Sequence, residues 1–190
     1  MTNYNKKISD TEYRLGEVRF SYAHVFVPQK TLDGSKDKYG VSIVIPKTET
    51  ATLALIREGI EAAKQKGISE KWGGKLPNGL KLCLRDGDID RPDDEAYAGC
   101  WFFNASSERK PGVRVLSGKS IVEALDEEDF YSGCYGAVTV NFFPFNSNGS
   151  KGVSAGLGNL IKTRDGERLS GGRSAEADFG DLGGADDYLD

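Results

Sequence analysis

The sequence predicts a mainly β domain with one or two helices, an α+β fold, and three observations support this class. Runs of β-branched and aromatic residues recur between loops marked by Gly, Pro and Asn, as strands do. A single stretch after Pro46 carries apolar residues at helical spacing. With 190 residues, 38% of them hydrophobic, the chain is long enough to bury one core, and no internal repeat divides it.

Two strands are predicted in the first quarter of the chain. We expect order to begin near Leu15, because the residues before it are polar. A strand is predicted at 18–27, where both faces carry apolar residues and the alternation does not show which of them is the core. A second is predicted at 38–45, where the alternate residues from Tyr39 to Ile45 share the core side.

A helix and a long insertion follow these strands. Thr48 or Thr50 is the predicted cap of the helix, and Gly67 its predicted end. Its apolar stripe comprises Leu53, Ile56, Ile60 and Ala63. Residues 68–97 then form an insertion that contains a short half-buried strand and an acidic turn at 86–95.

The strand at 133–145 carries the main functional prediction. Val138, Val140 and Phe142 share one face, which suits a buried core. The opposite face carries Tyr135, Ala137, Thr139, Asn141, Phe143 and Phe145. Because the core side of this strand is already assigned, the rings on the other side are predicted to form a platform on which flat bases stack.

The strand at 99–107 is predicted to extend this platform. It directs Trp101 and Phe103 to one face, and we expect both rings to stack bases together with Tyr135, Phe143 and Phe145.

Basic residues recur in the loops around these strands, and we predict that they contact phosphates. They are Lys30, Lys36, Lys38, Arg109, Lys110, Arg114 and Lys151. A cationic groove with aromatic faces, worth about 1 to 3 kcal/mol per stacked base, holds single strands without sequence preference. The combination predicts a protein that binds single-stranded nucleic acid and not an enzyme.

The formal net charge of −4 is concentrated at the C-terminus. From Ser174 onward the chain has six acidic residues and neither Lys nor Arg. Removing these six from the 29 acidic residues leaves 23 against 25 basic ones, so the body carries a net +2. We expect this tail to compete with DNA for the groove and to recruit partners, whereas the alternative is a disordered, solubilising tail. The residues assigned to these roles are Glu176, Asp178, Phe179, Asp181, Asp186, Asp187, Tyr188 and Asp190.

Enzymatic and metal-binding motifs fit poorly, so neither a cofactor nor a metal is predicted. Residues 118–120 resemble the end of a phosphate-binding P-loop, but Val113 stands where that loop needs glycine. The single His24 and three scattered cysteines offer neither a catalytic triad nor paired zinc ligands, and the thiols are expected to be reduced and buried. The acidic turn at 86–95 leaves a metal-dependent nuclease open as an alternative.

Six short runs occur in order along nearly the whole chain. They are SYAHVF at 21–26, VIPK at 44–47, LRDGD at 84–88, FNASS at 103–107 with PG at 111–112, YSGCY at 131–135 and KGV at 151–153. Together they resemble a family of bacteriophage single-stranded DNA-binding proteins with an OB-fold and an acidic tail, formerly a domain of unknown function. The resemblance implies a five-stranded OB-fold barrel whose loops at 28–37 and 146–151 grip DNA, with a role in phage DNA replication, recombination or repair.

The predicted organisation has three parts. An OB-fold domain spans 1–162, a Gly/Arg-rich linker 163–173 and a flexible acidic tail 174–190. The partners implied are single-stranded DNA and, through the tail, phage replication or recombination proteins. No apolar run is long enough to span a membrane and no signal peptide is recognisable, so we expect the protein in the cytoplasm of the infected host. Whether the insertion covers the binding face is left open.

Overall fold

The computed structural model describes residues 2–169, which form ten strands and three helical segments. The strands are β1 (Lys6–Lys7), β2 (Glu12–Lys30), β3 (Asp37–Pro46), β4 (Lys81–Leu82), β5 (Arg85–Asp86), β6 (Cys100–Ser107), β7 (Val113–Ser117), β8 (Ser120–Glu123), β9 (Tyr135–Ser147) and β10 (Ser150–Arg164). The helices are α1 (Thr50–Glu70), α2 (Gly87–Asp90) and a 3₁₀-helix (Glu95–Tyr97). None of these described helices is long and apolar enough to cross a membrane. The predicted tail at 174–190 and linker residues 170–173 lie outside the described residues.

Five strands close into a barrel, as the sequence predicts. β2 pairs with β3, β3 with β6, β9 with β2 and β10 with β9, all antiparallel. A parallel pairing between β6 and β10, at Ala105 and Ala155, closes the ring. This strand order is that of a five-stranded OB-fold barrel, so the predicted fold class is confirmed. Residues 118–119, considered above for a P-loop, form the turn of the β7–β8 hairpin.

The faces of β2 change sides at Tyr22. Phe20 before this point and Val25 after it are both buried, although one is even-numbered and the other odd-numbered. The register of β2 against β3 shifts after Ser21, and Tyr22 has a φ of 45°. A bulge turns the side chains that follow it to the opposite faces of the strand. One pattern of buried and exposed residues therefore does not hold along the whole of β2.

The core is built from one face of β9 and one stripe of α1. Val138, Val140 and Phe142 are each 1% exposed, so the predicted core face of β9 is confirmed. The apolar stripe of α1 belongs to the same cluster. Gly59 allows this close packing, because a Cβ at that position would lie 2.5 Å from the ring of Phe142 and 2.7 Å from that of Tyr13.

The ends of α1 differ from those predicted. Glu49 is the N-cap residue, and no side chain caps the helix there, so neither Thr48 nor Thr50 has that role. The helix also continues through Gly67 to Glu70. Gly67 is buried against the indole of Trp72, and a Cβ at this position would lie 2.6 Å from that ring. This glycine therefore allows close packing and does not end the helix.

Order extends beyond both predicted limits of the barrel domain. Lys6 pairs with Arg14 between β1 and β2, well before the expected start near Leu15. At the other end β10 continues through Arg164, past the predicted start of the linker at 163. The guanidinium of Arg164 binds the carboxylate of Glu17 at 2.8 Å. β1 is held by its pairing with β2, and the end of β10 by its pairing with β9 and the ion pair with Glu17. The composition of these polar segments does not reveal these contacts.

The insertion covers one part of the barrel and leaves another open. Tyr97 is fully buried and lies edge-on against Phe102, with ring centroids 4.9 Å apart. Its hydroxyl lies 2.9 Å from the Oγ of Ser42. The outer face of β3 and β6 around Val44 is therefore covered, whereas Phe143 on the outer face of β9 remains 39% exposed.

Candidate nucleic-acid interface

A row of small residues, paired with one another across neighbouring strands, crosses the outer face of the barrel. Gly40 on β3 pairs with Ser106 on β6, and Ser106 pairs with Gly156 on β10. The row continues to His24 on β2 and to Asn141 on β9. We call Gly40, Ser106 and Gly156 the small-residue row. Glycine and serine leave the backbone accessible, so a ligand can approach this row closely.

Tyr22 stands beside the β2 end of the small-residue row. Its side chain is 48% exposed, and the guanidinium of Arg91 lies 5.3 Å from its ring centroid. Arg91 belongs to the insertion and also lies within 5.5 Å of the Tyr97 ring centroid and 5.7 Å of that of Phe102. These cation–π contacts hold the arginine in place, so Tyr22 is both supported and half exposed.

A cationic depression lies at the same end of the row. It has a volume of about 170 Å³, and its lining includes His24, Lys30 and Lys38. Lys38 forms no ion pair with another described residue, whereas the Nζ of Lys30 lies 3.8 Å from the carboxylate of Asp37. Exposed pairs of this kind contribute little to stability, so both amines are available to a phosphate.

Phe143 and Phe145 stand at the opposite end of the row, outside the core as predicted. Phe143 is 39% exposed, and a Cβ placed on Gly156 would lie 3.8 Å from its Cε1. Phe145 is half-buried because its ring covers Gly152, where an added Cβ would lie 2.8 Å from the ring. Both rings therefore border β10, with Phe143 beside the accessible Gly156 and Phe145 over the buried Gly152.

Phe103 cannot have the role predicted for it. Its side chain is fully buried, and its ring centroid lies 5.7 Å from that of Phe142 in the core. The alternation in β6 correctly places Trp101, Phe103 and Ala105 on one face, but that face points into the barrel. The prediction that Phe103 stacks bases is wrong, because no base can reach it.

Two other rings predicted to stack already carry arginines. The guanidinium of Arg164 lies 3.9 Å from the ring centroid of Tyr135, and Glu17 holds that arginine. Trp101 is half-buried, with the guanidinium of Arg57 at 5.3 Å from its ring centroid. Stacking by Tyr135 and Trp101 stays a prediction, and it requires the arginine to move aside.

Three more of the predicted cations lie at the β2–β3 loop end of the barrel. Lys36 pairs with Glu108 at 2.8 Å, and its hydrogen bond to that carboxylate raises the pKa of the lysine. Arg109 and Lys110 are exposed and come directly after β6, whose end pairs with the start of β3. These residues lie near the cationic depression, although their contact with DNA is untested.

Arg114 and Lys151 lie apart from that group. Arg114 is on β7, where its guanidinium donates to the carbonyl of Val113 at 3.0 Å. Lys151 lies at the start of β10, and because β10 runs parallel to β6 this is the opposite end of the barrel. Of these two, Lys151 lies on the strand that carries Gly156, so it can extend the interface along β10.

The carboxylates of the acidic turn form ion pairs with a lysine and an arginine of the same chain. The carboxylates of Asp86 and Asp88 lie 2.9 Å and 2.8 Å from the Nζ of Lys47, whose hydrogen bond lowers the pKa of Asp88. Asp90 pairs with Arg85 at 2.9 Å. Within the described part of the chain, no three His, Cys, Asp or Glu side chains come together as a metal site. The contacts with Lys47 fasten the insertion to the barrel, and the carboxylates of Asp86, Asp88 and Asp90 are already in ion pairs.

Sequence reasoning missed Tyr22, Arg91 and the small-residue row. One signal was nevertheless present in the chain, because β9 and β10 together contain no Asp or Glu. Their charged residues are Lys151, Lys162 and Arg164. A barrel wall without carboxylates, in which small residues alternate along β10, is a surface suited to an anionic ligand.

Comparisons with known proteins converge on one group. The model of the family described as "Enterobacter phage Enc34, ssDNA-binding protein" matches residues 11–189. The chain is 35% identical over 184 residues to "Putative protein p50" of Acyrthosiphon pisum secondary endosymbiont phage 1, covering 92% of this chain and 95% of that protein.

Solved structures show the same likeness. The single-stranded DNA-binding protein from bacteriophage Enc34, in complex with ssDNA, matches with a TM-score of 0.73 and 27% identity over 87% of this chain and 96% of that one. The protein gp2.5, a single-stranded DNA-binding protein encoded by bacteriophage T7, matches with a TM-score of 0.58 and 15% identity over 96% of this chain and 100% of that one. At that identity the second likeness concerns the fold alone.

Proposed function

Because the chain belongs to the family of the Enterobacter phage Enc34 single-stranded DNA-binding protein, we propose that it binds single-stranded DNA. The observation that carries the proposal is the small-residue row, with the exposed rings of Tyr22 and Phe143 at its two ends. A structure of a relative in complex with ssDNA supports it. The binding serves phage DNA replication, recombination or repair.

Base stacking supplies affinity without sequence preference. Tyr22 and Phe143 each present an exposed ring, and Phe145 extends the surface beyond Phe143. Each stacked base contributes about 1 to 3 kcal/mol, and every base offers a flat face. The DNA strand crosses the small-residue row between these rings, because glycine and serine let the DNA backbone approach the sheet.

Phosphate contacts supply the second part of the affinity. Lys30 and Lys38 reach phosphates from the cationic depression, and Lys36, Arg109 and Lys110 add positive charge at the same end of the barrel. Each phosphate neutralised on a single strand releases bound counterions, so the logarithm of the binding constant falls with the logarithm of the salt concentration at a slope of about −0.7 per contact.

The acidic tail competes with DNA for this interface. The last described residue, Leu169, donates its N–H to the carbonyl of Ser132 at 2.9 Å. The hydroxyl of Ser132 in turn accepts from the N–H of Ala23 at 3.0 Å, next to Tyr22. The described chain therefore ends beside the interface, five residues before the tail. The carboxylates and rings of the tail offer the same chemistry as a DNA strand. DNA displaces it, and the freed tail recruits phage replication or recombination proteins.

Fluorescence-anisotropy titrations with a labelled single strand and with the matching duplex test the proposed function. We expect tighter binding to the single strand, with an affinity that falls as salt is added. Equal affinity for both forms, or an affinity that salt leaves unchanged, contradicts the proposal. Shortened strands after incubation with Mg²⁺ or Mn²⁺ would instead support the nuclease alternative.

A further inference from the structure

A cleft of about 550 Å³ lies next to the interface, between the insertion and the tip of the β9–β10 hairpin. Residues 77–79 and Lys81 line one wall, and residues 148–150 and Lys151 line the other. Both walls are polar turns, so the two lysines are the charged side chains of its lining. An open polar cleft with two cations suits a phosphate.

The two chain segments that form the cleft carry lysines and no carboxylates. Lys71, Lys75, Lys81 and Lys151 form no ion pair with another described residue, so nothing described neutralises them. The sequence contains no Asp or Glu from residue 71 to 85, nor from residue 130 to 164. An anion in the cleft therefore meets the amines of Lys81 and Lys151 and no carboxylate of its lining.

The insertion is fixed against the hairpin at this point. The indole N–H of Trp72 donates to the carbonyl of Phe145 at 3.0 Å, and the side-chain amide of Asn146 donates to the carbonyl of Lys71 at 3.3 Å. β4 pairs in parallel with β10, with Lys81 opposite Gly152. A Cβ at Gly152 would collide with the carbonyl oxygen of Lys81, so this contact requires glycine. The two walls are thereby held in a defined relation before any ligand arrives.

The cleft continues the path of the interface. Phe143 pairs with Ser154 and Phe145 with Gly152, so the two rings follow β10 from the small-residue row toward Lys151. From Gly156 to Lys151 the distance along β10 is about 17 Å at roughly 3.3 Å per residue. A DNA strand that leaves the small-residue row over Phe143 and Phe145 therefore reaches the cleft next.

We propose that this cleft is a second phosphate-binding subsite, which takes the backbone of a single strand beyond the stacking rings and so sets the length of DNA that one protein molecule covers. This inference rests on the proposed function. The insertion then has a binding role through Lys81, in addition to its support of Tyr22.

Salt dependence measured on two lengths of DNA tests the subsite. The variant is Lys81→Ala with Lys151→Ala, and the oligonucleotides are about 4 and about 16 nucleotides long, the range of site sizes of OB-folds. On the longer strand we expect the magnitude of the log–log slope to fall by about 0.7, the value for one phosphate that is no longer neutralised. On the shorter strand, which the row and its rings can hold alone, we expect no change.

The control is Lys6→Ala with Lys119→Ala, which removes the same charge from β1 and from the β7–β8 turn. It should leave both slopes as they are in the wild type. An unchanged slope on the longer strand, or equal losses on both lengths, overturns the subsite while the proposed function stands. If the wild type binds neither strand, the proposed function fails, and the inference fails with it.

Discussion

The guanidinium of Arg91, on the insertion, lies 5.3 Å from the ring centroid of Tyr22, on the strand β2. The insertion thus supports an exposed ring of the candidate interface while it covers Phe102 with Tyr97. A segment that is additional to a minimal OB-fold therefore helps to build the candidate interface.

Replacement of Tyr22 by Ala should weaken binding to single-stranded DNA by about 1 to 3 kcal/mol, the contribution of one stacked base. The melting temperature should change little, because the ring is 48% exposed. Val27→Ala is the matched control, since Val27 lies on the same strand and is 71% exposed. Equal losses of affinity in the two variants, measured by anisotropy, would speak against stacking at Tyr22.

The two faces of the barrel wall should respond differently to loss of a phenyl ring. Phe143→Ala should reduce DNA affinity with little effect on thermal unfolding, because Phe143 is 39% exposed on the outer face. Phe103→Ala should instead lower the free energy of unfolding by about 3 to 5 kcal/mol, as for a large buried side chain. Calorimetry and DNA titration distinguish the two variants. A collapse of the melting temperature in Phe143→Ala would contradict the assignment of Phe143 to the outer face.

Filling the small-residue row should block DNA without unfolding the protein. In Gly156→Leu the new Cβ would lie 3.6 Å from the carbonyl oxygen of Asn141 and 3.8 Å from Phe143, which are ordinary contacts. The remainder of the side chain would stand over the row, so we expect a loss of affinity of tenfold or more, about 1.4 kcal/mol. Ser117→Leu, an exposed position on β7, is the control, and equal affinity in both variants would exclude the row as the DNA path.

Deletion of residues 174–190 should raise affinity for single-stranded DNA, because it removes the proposed competitor. The gain should be largest at low salt, where charges on the tail and the groove are least screened. Titration of the full chain and of the shortened chain over a range of salt concentrations measures this effect. Unchanged or weaker binding after the deletion would refute competition by the tail.

The thiols of Cys83 and Cys134 should react slowly in the folded protein, where Cys134 is buried and Cys83 is half-buried. Burial raises the pKa of Cys83 and Cys134 to about 11 in each case. The thiolate is the reactive form, so near pH 8 only about one such thiol in a thousand is ionised, and the fraction grows as the pH rises toward the pKa. Alkylation followed by mass spectrometry should label both cysteines quickly after denaturation only. Rapid labelling of Cys134 in the folded state would contradict its burial.

Alternation along a strand predicted which residues share a face, but it did not always predict which face is the core. In β9 only one face is apolar throughout, so Val138, Val140 and Phe142 were assigned correctly. In β6 both faces carry phenylalanine, and the insertion buries the outer one, Phe102, under Tyr97. Phe103 was therefore placed on the wrong side of the barrel wall.

The parts of the interface that were missed depend on contacts between distant segments. The support of Tyr22 by Arg91 joins β2 to the insertion, and the bulge at Tyr22 hides the direction of its ring. The small-residue row exists only because three strands pair in one register, at Gly40, Ser106 and Gly156. The alternation of small residues along β10 is visible in the sequence, but the pairing that joins it to Gly40 and Ser106 is not.

Photo-cross-linking of a bound single strand, followed by mass spectrometry of the modified peptides, tests most directly whether DNA crosses the small-residue row. The account predicts cross-links at Tyr22 and at Phe143, the exposed rings at its two ends. Cross-links confined to the β7–β8 hairpin, with neither Tyr22 nor Phe143 modified, would contradict it.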